Sequence, residues 1–306
     1  MKILVATEKP FAAAAVDGIK DIAADKGHNV AVLERYTDKS QLLEAVADAD
    51  ALIVRSDKVT AEVIGAAKKL KIVVRAGAGY DNLDLAACSA RGIVAMNTPG
   101  QNSNAVAELA IAMIIYMSRN RFTPGTGCEI SGKRIGIQAY GNVGRLVARK
   151  AQALGMSVMA FDPFVAEEKM KEDNVCPAPS LEKMYEACDF ISLHIPATPE
   201  TIGSIGYDLL SKMPKGGCLL NTARKEVINE PELIKALEER SDLKYVTDIA
   251  ATCQAELDEK FGKRVFATPK KMGAETAEAN INAGLAAAYQ IAEFFETGCT
   301  RFQLNK

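Results

Sequence analysis

Short apolar, β-branched runs alternate with longer alanine-rich amphipathic stretches almost from one end of the chain to the other. In the first part the strand candidates are KILVAT (2–7), NVAVLE (29–34), ALIVRS (51–56), KIVVRA (71–76) and IVAMN (93–97), with helix-like segments between them. Strands that are apolar along their length are covered on both faces, so this rhythm predicts a mainly parallel sheet between helix layers. Near NTPGQNSN (97–104) the pattern pauses, and AVAELAIAMIIYMSR (105–119) reads as one strongly apolar helix. The Pro- and Gly-bearing RFTPGTGCEISGK that follows marks a connection. The rhythm then restarts with RIGIQA, SVMAFD, DFISLHI, GCLLNTA, YVTDIA and RVFATP as successive strands, before a long helix over 276–298 and a short RFQLN tail.

A length of 306 residues suits two domains better than one core. The expected fold class is α/β, with two Rossmann-like or flavodoxin-like domains built on parallel sheets. A discontinuous domain of residues 1–98 plus 282–306 is expected to bind substrate, and an inserted domain of 99–281 to bind the cofactor. Aromatic residues make up 6% of the chain, which leaves little ring surface for stacking bases. The 37 basic and 39 acidic residues form no long run of one sign, which argues against nucleic acid as a partner. MKILVATEKP turns polar early, and no segment reaches the roughly 18 uninterrupted apolar residues of a membrane span. A soluble, unprocessed chain is expected. Seven cysteines, an odd number without a CxxC pair, suit reduced thiols in the cytoplasm. His28 and His194 are the only histidines, and neither stands at metal-ligand spacing from a cysteine, so no metal site is expected.

The sharpest local signal is RIGIQAYGNVGRLVARKAQALGMSVMAFDPF. A strand runs into Gly141, Asn142, Val143 and Gly144, an amphipathic helix begins, and Asp162 closes the next strand at about the ~20-residue spacing of a dinucleotide-binding fingerprint. Gly141 would let the backbone approach a pyrophosphate, Gly144 would let helix and strand pack closely, and the helix N-terminus favours an anion. Asp162 would accept from an adenosine ribose and repel a 2′-phosphate, so NAD is favoured over NADP. Ala139 replaces the first glycine, which is tolerable provided its φ stays negative.

Four further blocks stand in order: VRSDKVTAEVI (54–64), VVRAGAGYDNLDL (73–85), LHIPATPET (193–201) and NTARKEVINEPEL (221–233). With these, nearly the whole chain resembles the D-2-hydroxyacid dehydrogenase family. The first two, together with MNTPGQNSNAVAEL, resemble its phosphoglycerate dehydrogenase branch. The resemblance implies reversible hydride transfer between NAD and C2 of a small 2-hydroxyacid bound in a cleft between the domains; with 3-phosphoglycerate the product is 3-phosphohydroxypyruvate, on the way to serine. It implies that Arg224 is the catalytic arginine, which as a planar guanidinium suits bidentate capture of a carboxylate. It places Gly77 and Ala78 where backbone amides meet that carboxylate. Arg55, Ser56 and Arg75 fall on phosphate and carboxylate ligands, with Lys58 adding charge. Asp248 falls on the contact to the nicotinamide carboxamide, while Ile195, Pro196, Thr222 and Ala223 line the cofactor cleft and His194 supports it. A homodimer through the cofactor domain is also implied.

Two blocks depart from the family pattern. Its TPHxG reads TPKKMG here, so a lysine replaces the catalytic histidine: Lys271 if counted back from Gly273, Lys270 if counted forward from Pro269. Its DVFxxEP reads DIAATCQ, and Glu256 comes too late to replace the glutamate that holds the histidine. One change accounts for both, because a lysine can exchange the same proton without an orienting carboxylate, given a pKa lowered by burial beside Arg224. RNRFTPGTGCEISGK also lacks most of an arm that crosses the family's dimer interface, and no C-terminal regulatory domain is expected. Rival readings are a glyoxylate or hydroxypyruvate reductase and a non-catalytic NAD-sensing regulator.

Overall fold

The computed structural model describes residues 1–306 as two compact units, residues 1–102 with 275–306 and residues 103–274. The first carries a five-stranded parallel sheet: β1 (Lys2–Thr7), β2 (Asn29–Glu34), β3 (Ala51–Val54), β4 (Ile72–Arg75) and β5 (Val94–Asn97), in the order β2-β1-β3-β4-β5. Successive side chains alternate between its faces. Leu4, Leu52, Val54 and Val73 pack into one apolar cluster, and Ile3, Val5, Ile53 and Ile72 into another on the opposite face. Burying each such side chain contributes about 1.5–3 kcal/mol. The helix Ala13–Asp25 packs against the long helix Ala277–Thr297, whose Leu285 Cδ2 lies where a Cβ on Gly18 would stand, 2.4 Å from it. The tail after that helix covers the open edge of β5: Leu304 N–H donates to Ala95 O (2.8 Å) and Asn305 Oδ1 accepts from Ala95 N (2.9 Å).

The second unit holds seven parallel strands: β6 (Arg134–Gln138), β7 (Ser157–Phe161), β8 (Cys176–Pro177), β9 (Phe190–Leu193), β10 (Cys218–Asn221), β11 (Lys244–Thr247) and β12 (Val265–Ala267). Their order is β12-β11-β10-β9-β6-β7-β8, so the winding reverses between β6 and β9, where Gln138 pairs with Leu193. Doubly wound sheets bind ligands outside the strand ends at such a reversal. The helix Ser103–Ser118, apolar nearly all round, packs against the helix Asn142–Ala153. The parallel α/β architecture expected from the periodicity is the one that forms. β8 was not anticipated, being two residues long and ending in a proline at the sheet edge. No helix is long and apolar enough to cross a membrane.

Candidate functional site

In the second unit the turn leaving β6 is tight. Ala139 has φ +76°, not the negative value expected of it, and an alanine held there costs about 1–2 kcal/mol. The reason for the turn's shape lies across it. A Cβ on Gly144 would stand 2.2 Å from Ala139 O and 3.0 Å from Ile137 Cγ2, so only glycine lets the helix Asn142–Ala153 start this close to the strand. Gly141, at φ −84°, precedes that helix without a side-chain cap, and an added Cβ there would meet no protein atom within 4 Å. Protein packing therefore does not demand Gly141, whereas an anion approaching the uncapped amides of the first turn would. Asn142 is exposed and Val143 half-buried at this end.

Asp162 faces the same turn, its Oδ2 accepting from Tyr140 N–H (2.8 Å) and its Oδ1 from Phe164 N–H (2.9 Å). Each carboxylate oxygen retains a second acceptor position, so a ribose hydroxyl can still be bound. Tyr140 is 1% exposed and donates its hydroxyl to Asp173 Oδ2 (3.0 Å), fixing the turn from within. This turn, its helix and its acceptor fit a dinucleotide: Gly141 to Gly144 would hold the pyrophosphate and Asp162 the ribose.

Beyond β9 and β10, His194 shares a 2.9 Å hydrogen bond with Ser192 Oγ and lies 3.5 Å from Thr222 Oγ1. Burial pushes its imidazole pKa down to about 3, so the ring is neutral at physiological pH and supports the loop without acting as a cation. Ile195, Thr222 and Ala223 are buried around it, and Pro196 is exposed. Asn221 shapes the next turn, its side chain accepting from Ala223 N–H (2.9 Å) and donating to Arg224 O (2.9 Å). The half-buried Arg224 guanidinium donates to Ala223 O (3.0 Å) and makes no ion pair. Its remaining donors suit a bidentate anion.

Asp248 holds the loop that follows β12. It is fully buried, Met272 N–H donates to its Oδ1 (2.8 Å), Gly273 N–H donates to its Oδ2 (2.8 Å), and Thr268 Oγ1 lies 3.0 Å from Oδ1. The carboxylate thus anchors the segment bearing the lysines. Thr268 Oγ1 also reaches Lys270 O (2.8 Å), so the backbone is pinned on either side of Lys271. Gly273 fits because a Cβ there would lie 3.0 Å from Asp248 Oδ2 and 3.2 Å from Val106 Cγ2. Lys270 and Lys271 are both exposed; the burial expected of the replacement lysine is absent, because both follow β12 on the outside of this loop.

In the first unit, β3 and β4 end side by side with Val54 opposite Arg75. Arg75 Nε donates to Arg55 O (2.9 Å), tying the two arginines together. Arg55 lies over the Phe11 ring (5.8 Å to its centre), and its Nη2 is 3.9 Å from Glu275 Oε1. Ser56 and Lys58 are exposed on either side in sequence of the buried Asp57, whose Oδ1 accepts from Glu8 N–H and Tyr36 Oη–H (both 2.7 Å). Gly77 also differs from expectation: its N–H donates to Thr98 Oγ1 (2.7 Å) and is not left for a ligand. Ala78 gives its carbonyl to Asn97 Nδ2 (2.6 Å).

Residues 104–270 match the sequence profile of the D-isomer specific 2-hydroxyacid dehydrogenase, NAD binding domain. The chain belongs to this family. Its NAD-binding domain contains the turn at 139–144, Asp162, Arg224, Asp248 and Lys270, and Lys271 lies one residue beyond the match. Among family members, the D-3-phosphoglycerate dehydrogenase of Mycobacterium leprae is 38% identical over 262 residues, 81% of this chain and 49% of the relative. That of Sus scrofa is 35% identical over 292 residues, 90% of this chain and 54% of the relative. The chain thus spans about half the length of the curated relatives it matches. An NAD+-bound 3-phosphoglycerate dehydrogenase structure from Entamoeba histolytica superposes with a TM-score of 0.88 at 50% identity, covering 100% of this chain and 99% of that one. D-2-hydroxyisocaproate dehydrogenase shares the fold at 21% identity with a TM-score of 0.84.

The structure gathers Gly141, Asn142, Val143, Gly144 and Asp162 at one turn, Ile195, Thr222, Ala223 and Arg224 at the ends of β9 and β10, and Arg55, Ser56 and Arg75 at the ends of β3 and β4. Thr98, Tyr140, Asp57 and Asn221 position these groups and were missed. Their only sequence trace is polarity inside or just after apolar runs, such as Asn97-Thr98 and Asn221.

Proposed function

We propose that this family member is a phosphoglycerate dehydrogenase: it oxidises D-3-phosphoglycerate to 3-phosphohydroxypyruvate with NAD, reversibly, in the phosphorylated route to serine. The observation that carries this reading is the pair of arginines at the ends of adjacent strands, Arg75 Nε reaching the Arg55 backbone carbonyl at 2.9 Å. Two guanidiniums beside the exposed Ser56 and Lys58 match a dianionic phosphate, which an unphosphorylated hydroxyacid lacks. Arg224, without an ion pair of its own, takes the substrate carboxylate and polarises the C2 oxygen. Lys271, held between the pinned carbonyl of Lys270 and the pinned amide of Met272, exchanges the proton. In oxidation its free amine accepts the C2 hydroxyl proton; in reduction its ammonium returns a proton to the C2 oxygen. NAD, when bound, supplies the hydride acceptor. The neutral His194 plays no part in the transfer.

The same reading places the protein in the cytoplasm as a homodimer through its NAD-binding domain. An apolar groove formed by Ile111, Ala112, Ile115, Ala153 and Leu154, with Glu108 and Lys150 at its rim, supports that association.

The test is a steady-state comparison of phosphohydroxypyruvate with hydroxypyruvate as substrates for NADH oxidation. The unmodified protein should prefer the phosphorylated substrate, and Arg55→Ala should raise its KM about 10- to 100-fold more than that of hydroxypyruvate, the loss of one or two charge-assisted hydrogen bonds. Equal effects on both substrates would remove the phosphate pocket and favour a hydroxypyruvate reductase. NADH binding without turnover of either would favour a sensor.

A further inference from the structure

We propose that Gly77 is a specificity-determining residue, the space its missing side chain leaves being what lets the Arg75 guanidinium lie beside Arg55. The inference rests on the phosphate reading of Arg75. A Cβ on Gly77 would stand 1.7 Å from Arg75 Nη1, 2.4 Å from Cζ and 3.1 Å from Nη2, so the whole guanidinium lies across this one position. The comparable approach at Gly206, where a Cβ would meet Glu232 Oε2, is 1.9 Å. The backbone beneath is fixed from both sides: Gly77 N–H donates to Thr98 Oγ1 (2.7 Å), Gly77 O accepts from Thr98 N–H (3.0 Å), and Ala76 N–H donates to Val54 O (2.8 Å). The backbone is therefore held and the guanidinium must move.

Arg75 carries a long, flexible side chain, so a Cβ at 77 displaces the guanidinium before the held backbone, and the position it leaves is the one from which Nε reaches Arg55 O. Any side chain at 77 thus uncouples the two arginines. A second constraint acts at the same residue, because its φ of +148° is one that L-residues rarely adopt. This part of the effect is independent of Arg75, which makes the two separable by experiment.

The quantity to measure is the ratio of kcat/KM for phosphohydroxypyruvate to that for hydroxypyruvate, in the full chain and in Gly77→Ala, Arg75→Ala and the double variant, with thermal unfolding of each. Gly77→Ala should lower the ratio at least tenfold, as Arg75→Ala does. In the Arg75→Ala background Gly77→Ala should change it by less than about twofold, since the side chain it would displace is gone. A ratio that Arg75→Ala collapses and Gly77→Ala spares overturns this inference alone, as does a second full loss in the double variant. A ratio unaffected by Arg75→Ala overturns the phosphate reading and this inference with it. Should Gly77→Ala fail to fold, the double variant decides: recovery supports the clash with Arg75, and continued failure assigns the requirement to the backbone angle and overturns the proposal.

Discussion

Replacing Asp248 by asparagine separates two uses of one carboxylate. In the structure its two oxygens accept from Met272 N–H and Gly273 N–H, both at 2.8 Å, with no exposure to solvent. An asparagine offers one oxygen and one NH2 in their place. If the oxygen stays with Met272, the NH2 faces the Gly273 N–H, and two donors oppose one another in a buried site. One charge-assisted bond is lost, at about 1.5–3 kcal/mol, and the other weakens to a neutral one, so Asp248→Asn should cost about 2–4 kcal/mol. For a unit of this size that corresponds to a fall in Tm of roughly 5–15 °C. If the segment detaches instead, the stability loss is smaller and Lys271 is released. In both cases kcat should fall, by about 10- to 100-fold, while NADH affinity, measured by fluorescence titration, should change by less than about threefold. Loss of NADH affinity in step with kcat, at unchanged Tm, would refute the argument and return the carboxylate to the nicotinamide.

Lys271→Ala should lower kcat by about 10²- to 10⁴-fold with Lys270→Ala far milder, and oxidation by the unmodified protein should quicken as pH rises and more of the amine is free, whereas reduction should run readily near neutrality; equal loss in both variants would contradict the assignment. Asp162→Ala should narrow the preference for NADH over NADPH, and equal binding of the two by the unmodified protein would remove the role given to Asp162. His194 has a folded pKa of about 3 against about 6.5 when unfolded, so it binds its proton more readily in the unfolded chain, and stability should fall as pH drops through that window by up to about 1.4 kcal/mol per unit. His194→Asn should flatten urea-midpoint profiles between pH 7 and 5, and parallel profiles would rule this out.

Strands such as β3 and β10 were legible because they are buried on both faces along their whole length, and such apolar runs have few other places to go, whereas the two-residue edge strand β8 left no such signal. Parallel order followed from the helices between them. The fingerprint turn was legible for a similar reason, since Gly144 answers to contacts within a few residues. What escaped was whatever depends on register between distant segments. Asp248 meets Met272 and Gly273 because β11 and β12 pair with Thr247 opposite Ala267, and no local pattern reveals that. The Gly77 amide was expected to be available, yet Thr98, brought alongside by the pairing of β4 with β5, takes it. The lysine was expected to be buried on chemical grounds, and the structure leaves it exposed together with its neighbours Lys270 and Met272. Ala139 was judged by what alanine prefers, whereas the turn imposed the opposite sign of φ.

That last residue bears on how fast a ligand can leave the turn. A glycine at 139 would relieve the left-handed strain of about 1–2 kcal/mol but gain freedom in the unfolded chain worth about 0.5–1 kcal/mol, so Ala139→Gly should raise the melting point by no more than a few degrees. Kinetics would register the difference instead. Alanine admits few excursions from its strained well, and the amides of Tyr140 to Asn142 inherit that stiffness; with glycine they would sample more orientations between encounters. Stopped-flow displacement of NADH should then show a faster off-rate for Ala139→Gly at a similar on-rate, making the alanine a brake on cofactor exchange.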